Sequence, residues 1–430
     1  MLGLMRLWLR CALVLSSLAG VACNPPPPPP PTDAGPRDVG MTDTLPDAFV
    51  DAPREDAEVP DAPRPDAGML VGCNSPIPEI VEIAADPRMR DQRVGLAAAD
   101  ASWGVTWVQN IGGFDEIHVA TIGNTGDAVV RQHTSLFATQ REPAIVSTGG
   151  GWLLAWVGNQ LGNFEIFTQA VGGDLSPVGT PTRLTTSLDA DRTPSLVALP
   201  TGTNVLAAWV NVAGKTDSLA MTRVLASTGV PSGAARMVTM MDSSVEAPTL
   251  AYRSAGAVLG WGDGARVPPA AMVLALDAVG GGSGTAAPVS SEGNTDGSVD
   301  LTMDAFGGAM VFGALVAGVR PEIRVRLLDE TGTPVESERV ATPSTGRDAS
   351  IAAFAGGYVV AYRSTGALST IRIAFLDAQG DFLSETDLAT AETAGGRTTV
   401  RVTNEGRILV TWADTTATTT RIRAVRVRCE

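Results

Sequence analysis

The sequence predicts an all-β protein, a seven-bladed β-propeller of four-stranded antiparallel blades with the last blade completed by an N-terminal strand. Three observations predict it. A strand that ends in an aromatic residue recurs seven times at a nearly constant step. The same order of four short strands and glycine-bearing turns surrounds each occurrence. The seventh unit stops one strand short, and a spare strand precedes the first unit.

The recurring strands are WGVTW, WLLAW, VLAAW, AVLGW, AMVF, YVVAY and ILVTW, ending at Trp107, Trp156, Trp209, Trp261, Phe312, Tyr362 and Trp412. Their spacings are 49, 53, 52, 51, 50 and 50 residues, the period of a repeat architecture. Within a unit a short strand comes first, then a Gly-rich turn, then the aromatic-ending strand. A variable loop leads to a third, alternating strand such as EIRVRLLD or TIRIAFLD. That strand closes on an Asp-x-x-Gly turn at Asp277, Asp329 and Asp377, where glycine takes a positive φ cheaply. A weaker fourth strand follows. Such a sheet has two apolar faces and cannot bury both alone, so neighbouring units stack around an axis. The large aromatic is the expected wedge between blades.

The seventh unit ends on its third strand, RIRAVRVRC, and lacks a fourth. The segment PEIVEIAA, Pro78 to Ala85, stands unpaired before the first unit and supplies it. Aligned on the fifth unit, Cys429 occupies the slot where a hairpin turn opens, and the fourth strand there begins seven residues later. Ile80 lies seven residues after Cys73. The two cysteines therefore flank the one hairpin that has no peptide connection, within bonding reach. A disulfide between Cys73 and Cys429 is expected, persisting outside the cytoplasm and contributing at most about 5 kcal/mol by loop entropy.

The chain opens on MLGLMRLWLRCALVLSSLAGVAC: two arginines, a short apolar run and small residues before Cys23. This reads as a signal peptide over residues 1–22, its apolar run too short to span a bilayer. Here the sequence resembles bacterial lipoproteins, although Gly20 stands where that family usually has leucine. The resemblance implies that Cys23 carries lipid and anchors the protein in a membrane. With Asn24 following, it implies the outer membrane or cell surface. Cleavage without lipidation would give a secreted protein instead.

Residues 23–72 follow as a linker. It begins with seven prolines, Pro25 to Pro31, and carries Asp51, Asp56, Asp61 and Asp66 at a step of five. Proline stiffness and self-repulsion favour an extended string reaching at most on the order of 150 Å. The propeller takes residues 73–430. It resembles propeller-bearing surface lipoproteins in general. It departs from kelch repeats in the place of its glycine pair, and it lacks the Asp-box of sialidase-like propellers.

Chemistry is sparse. A formal net charge of −15 disfavours nucleic acid as a partner. His118 and His133 lack metal-pair spacing, so neither a metal nor another cofactor is expected. The acidic run NTDGSVD lacks EF-hand spacing, and GGGSG sits at a hairpin rather than before a helix. No catalytic residue stands out. Counting back from each aromatic reaches the loop before the first strand, at Gln92, Glu246 and Gly297 and at four arginines, Arg141, Arg192, Arg347 and Arg397. The arginines form either an anion-facing ring at the channel mouth or ion pairs with Glu142, Asp191 and Asp348 that tie blades together. The expected function is a monomeric, non-catalytic display module binding a protein or glycan on its loop face. The alternative is a carbohydrate-active enzyme with paired carboxylates at the mouth, and a third possibility is a spacer with no ligand.

Overall fold

A computed structural model describes residues 73, 76–86, 93–136, 138–200, 203–213, 217–239, 243–291, 295–316, 320–365, 369–390, 396–415 and 419–429. The leader, Cys23 and the linker to residue 72 lie outside the described residues, as does Gln92.

The described strands form seven four-stranded antiparallel sheets. Blade 1 runs outward from Gly95–Ala98 through Ser102–Ile111 and Phe114–Gly123 to Val129–Gln132. Blades 2 to 6 repeat that order, with inner strands Gln140–Ser147, Ala190–Ala198, Val245–Arg253, Thr295–Asp304 and Gly346–Phe354. Blade 7 takes three strands from the C-terminal end, Thr399–Val402, Ile408–Thr415 and Thr420–Cys429. Its outer strand is Pro76–Asp86 from the other end of the domain.

Seven apolar clusters fill the spaces between blades. Each of the seven repeat aromatics sits in one of them, none more than 2% exposed. Trp209 packs on Leu153 and Ile166 of blade 2, Trp261 on Leu206 and Ala220 of blade 3, and Trp412 on Ile371 and Ile373 of blade 6. Trp107 closes the circle against Ile422 and Ala424 of blade 7. The aromatic of one blade is thus the filling of the seam with the blade before it. Truncating such a side chain costs about 3–5 kcal/mol.

The Asp-x-x-Gly turns make a second connection across those seams. Asp277 Oδ1 accepts from the amides of Val279 and Gly281, and Gly280 takes φ +79° to close the turn. The hydroxyl of Thr222 on blade 3 donates to the Gly280 carbonyl. A Cβ on Gly280 would lie 2.8 Å from Leu206 Cδ1, so only glycine lets this turn seat on its neighbour. Gly332 meets Val258 of blade 4 in the same way.

Blade 7 closes as the sequence predicts. Pro76–Asp86 pairs antiparallel with Thr420–Cys429, placing Pro76 opposite Cys429 and Ile80 opposite Val425. Cys73 and Cys429 form a disulfide with their Cα atoms 4.5 Å apart. Cys73 is buried against the core of blades 6 and 7.

Both histidines are part of the packing. His118 stacks on Trp107 with centroids 5.6 Å apart, and His133 meets Trp156 of blade 2 edge-on at 5.4 Å. Burial, with Arg131 nearby, pushes His133 down from 6.5 to about 4, against a smaller opposing effect of Gln169. Between those values the unfolded chain takes up a proton that the folded chain refuses. Stability is therefore full above pH 6.5 and falls as the pH drops towards 4. The loss is roughly 3 kcal/mol from this group. Denaturant midpoints at pH 7.5 and pH 4.5 should differ less for His133→Gln than for the parent. An equal difference would show that His133 is not the group responsible.

Candidate functional site: the axial channel

The inner strands surround an axial channel of about 980 Å³. Its mouth is shaped by a repeated irregularity. In blades 2, 3, 4 and 6 the pairing register jumps where the inner strand begins, between Arg141 and Ala144, Arg192 and Ser195, Glu246 and Thr249, and Arg347 and Ser350. Two residues there oppose a single one, which is the repeat aromatic. The first residue of each pair has a positive φ without being glycine: Glu142 at 52°, Thr193 at 48°, Ala247 at 43° and Asp348 at 57°. Blade 5 bulges between Thr295 and Val299 and places Gly297 there at 80°. Left-handed backbone at such residues costs of order 1–3 kcal/mol each, and its repetition marks this end of the channel. The bulge amide of Thr193 donates to Glu142 of the preceding blade at 2.6 Å.

The four arginines predicted as a mouth ring separate into two pairs. Arg347 and Arg397 line the channel. Arg141 and Arg192 are not among its lining residues. Arg141 turns to Asp115 of blade 1 at 3.4 Å, and Arg192 lies 5.4 Å above the Phe164 ring of blade 2. Both reach back to the preceding blade, because they stand before the bulge and the extra residue after them turns the next side chain to the axis. Of the expected ion pairs, Arg347 meets Asp348 at 3.8 Å.

Three charged channel residues were not expected there: Arg93, Arg401, and Asp300, which the sequence offers only as the end of the acidic run NTDGSVD. Asp300 occupies a tier otherwise built of Gly95, Ala144, Ser195, Thr249, Ser350 and Thr399, each paired with the residue before its repeat aromatic. Its carboxylate accepts from Thr249 of blade 4 at 3.1 Å, from Ser350 and the Ile351 amide of blade 6, and from Arg401 of blade 7 at 3.1 Å. Burial alone would raise its pKa. Arg401, Arg397 and the Ser350 hydroxyl outweigh burial and hold the carboxyl below the usual range. Arg401 in turn occupies a tier whose other members include Val146, Val197 and Ala352. The odd residue of one tier is bonded to the odd residue of the next.

No family model matches the chain, and no curated protein matches it. Solved structures do. A lectin from Burkholderia pseudomallei superposes with a TM-score of 0.53 at 12% identity, over 75% of this chain and 96% of the lectin. This likeness shows a propeller fold. A mutant NanB sialidase from Streptococcus pneumoniae gives a TM-score of 0.45 at 9% identity, over 82% of this chain and 71% of that one. Trypanosoma rangeli sialidase in complex with the inhibitor DANA gives 0.43 at 10%, over 79% and 55%.

Proposed function

We propose that the protein is a non-catalytic binding module of the cell envelope. Lipid on Cys23 holds it at a membrane, the linker extends it, and the propeller captures a glycan or protein at the channel mouth. The observation that carries this reading is the state of the channel carboxylates. Glu142 is held by the Thr193 amide, Asp300 by Arg401 and two hydroxyls, and Asp348 faces Arg347 at 3.8 Å. A glycosidase needs one carboxyl that keeps its proton near neutral pH and a second that attacks or activates water. Asp300 is displaced in the opposite direction. The described carboxyls that burial displaces upward, Glu116 and Asp191, are not among the residues lining the channel.

Two measurements test the proposal. Cells fed a labelled fatty acid should incorporate it into the full chain and not into Cys23→Ser. The full-length Cys23→Ser protein should bind one class of glycan on an array, or one envelope protein by crosslinking, saturably and without turnover. Release of reducing sugar from a bound glycan would replace this reading with the catalytic one.

A further inference from the structure

The seam between blades 3 and 4 departs from its neighbours in two places. Blades 3 and 5 carry an arginine two residues after the one opposite the repeat aromatic, Arg223 and Arg326. Each reaches across its seam. Arg223 donates to the carbonyl of Leu184 in the preceding blade at 2.8 Å and to that of Gly233 in its own blade at 2.6 Å. Arg326 donates to the carbonyl of Val289 in the preceding blade at 2.9 Å. Blade 4 has Leu274 at this place. The second departure lies in the turn that follows. Pro231 and Pro334 bridge back to Leu225 and Leu328, whereas in blade 4 it is Gly282 that bridges to Leu276.

A leucine for an arginine and a glycine for a proline leave this seam underfilled. A crevice of about 540 Å³ opens there with Leu274 and Gly282 in its wall, a size that suits a small ligand. Val238 and Gly284 line it too. The Val238 amide donates to Ala220 as the Leu184 amide does to Ile166, and Ser283 bonds Ala275 as Ser232 bonds Val224. Val238 and Gly284 thus hold the backbone places of Leu184 and Gly233, whose carbonyls take the Arg223 guanidinium in the neighbouring seam. Met237, about half exposed, stands at the rim, and the buried Met272 and Trp261 lie beneath. The described charges at the crevice, Asp263 and Arg266, pair with each other at 3.4 Å. Around them the domain is acidic, residues 73–430 carrying 36 Asp and Glu against 26 Lys and Arg. The crevice shares no described residue with the axial channel.

We propose that the crevice between blades 3 and 4 binds a guanidinium group on an apolar stem, its head between Val238 and Gly284 and its stem along Leu274 and Met237. The ligand supplies from outside what Arg223 supplies from within one seam away. A guanidinium suits the place better than an ammonium, because its planar fork of donors meets two carbonyls at once. Methionine and leucine accept stems of differing shape. The site is separate from the channel, and the inference does not rest on the binding-module reading.

Acetylarginine methylamide is the probe, acetylcitrulline methylamide its uncharged counterpart of the same shape, and butylguanidine the same head without a peptide. Titrated into the folded full-length Cys23→Ser chain and followed by ligand-observed NMR, the arginine compound should bind at one site. The citrulline compound should bind at least roughly ten-fold more weakly. Whichever guanidinium compound binds more tightly shows whether the head arrives on a peptide or free. Leu274→Arg, which restores the arginine of blades 3 and 5, should abolish binding and leave the melting temperature at or above the parent's. Leu274→Met should bind as the parent does. Should Leu274→Arg fail to fold, Gly282→Pro, which restores the ring of Pro231 and Pro334, should weaken binding by a similar ten-fold factor. Equal binding of the arginine and citrulline compounds, binding indifferent to the filling substitutions, an equal loss in Leu274→Met, or binding of neither guanidinium compound would overturn the inference.

Discussion

Replacing Cys73 and Cys429 together by serine is expected to lower unfolding stability by up to about 5 kcal/mol and to concentrate the loss in blade 7. The bond joins residues 356 apart, so nearly the whole propeller lies within the loop it closes. Without it the unfolded chain regains the entropy of two free ends. In the folded chain, blade 7 is then held by the ladder between Pro76–Asp86 and Thr420–Cys429, by its seams with blades 1 and 6 and by the Arg401–Asp300 pair. Denaturant midpoints with and without the substitutions measure the size of the effect. Native-state hydrogen exchange measures its place: the amides of residues 76–86 and 420–429 should lose protection first, while blades 2 to 5 keep theirs. An unchanged midpoint with uniform protection would mean that the ring closes equally well without its covalent link.

Asp300→Ala is expected to cost about 3 kcal/mol, because the carboxylate is buried while the Arg401 side chain paired with it keeps about a third of its surface exposed. Asp300 joins four consecutive blades through Thr249, Ser350, the Ile351 amide and Arg401. Asp300→Asn preserves the shape and part of the hydrogen bonding but not the charge, so it should remain clearly destabilised. Adding Arg401→Leu to Asp300→Asn should recover part of the loss, because the stranded guanidinium goes with it. The pH dependence has a definite sign. The folded carboxyl titrates below its unfolded value near 3.8, so its contribution is complete above that value and is lost as the pH falls through the lower folded one. Stability of Asp300→Asn within 1 kcal/mol of the parent at pH 7 would remove the ion pair from the account.

The ring was legible because its cause is periodic. Each seam needs one large apolar residue at the same place, so Trp107 through Trp412 recur at a step that counting recovers. The closure was legible for the opposite reason: the last unit breaks the period, and the missing strand and both cysteines appear at predictable offsets. The mouth was legible only in part. Counting located the loops but not the bulges, and a bulge changes which side chain faces the axis. Arg141 and Arg192 therefore point back to Asp115 and Phe164, and Glu142 and Thr193 stand at the opening in their place. The Asp300–Arg401 pair had a signal that went unread. Each is the charged exception in its own tier, but tiers become visible only once the register beyond the bulge is known.

The position of the disulfide has a mechanical consequence. Any tension on the chain ahead of the propeller arrives at Cys73, three residues before the first strand of the sheet. There it meets a covalent bond to Cys429 before it meets a single hydrogen bond of the Pro76–Asp86 ladder. A pull on that end therefore loads both termini of the domain at once instead of peeling one edge strand away from its neighbour. The link works as a strain relief, like the clamp where a cable enters its housing, so that a load on this end does not unzip the blade that closes the ring.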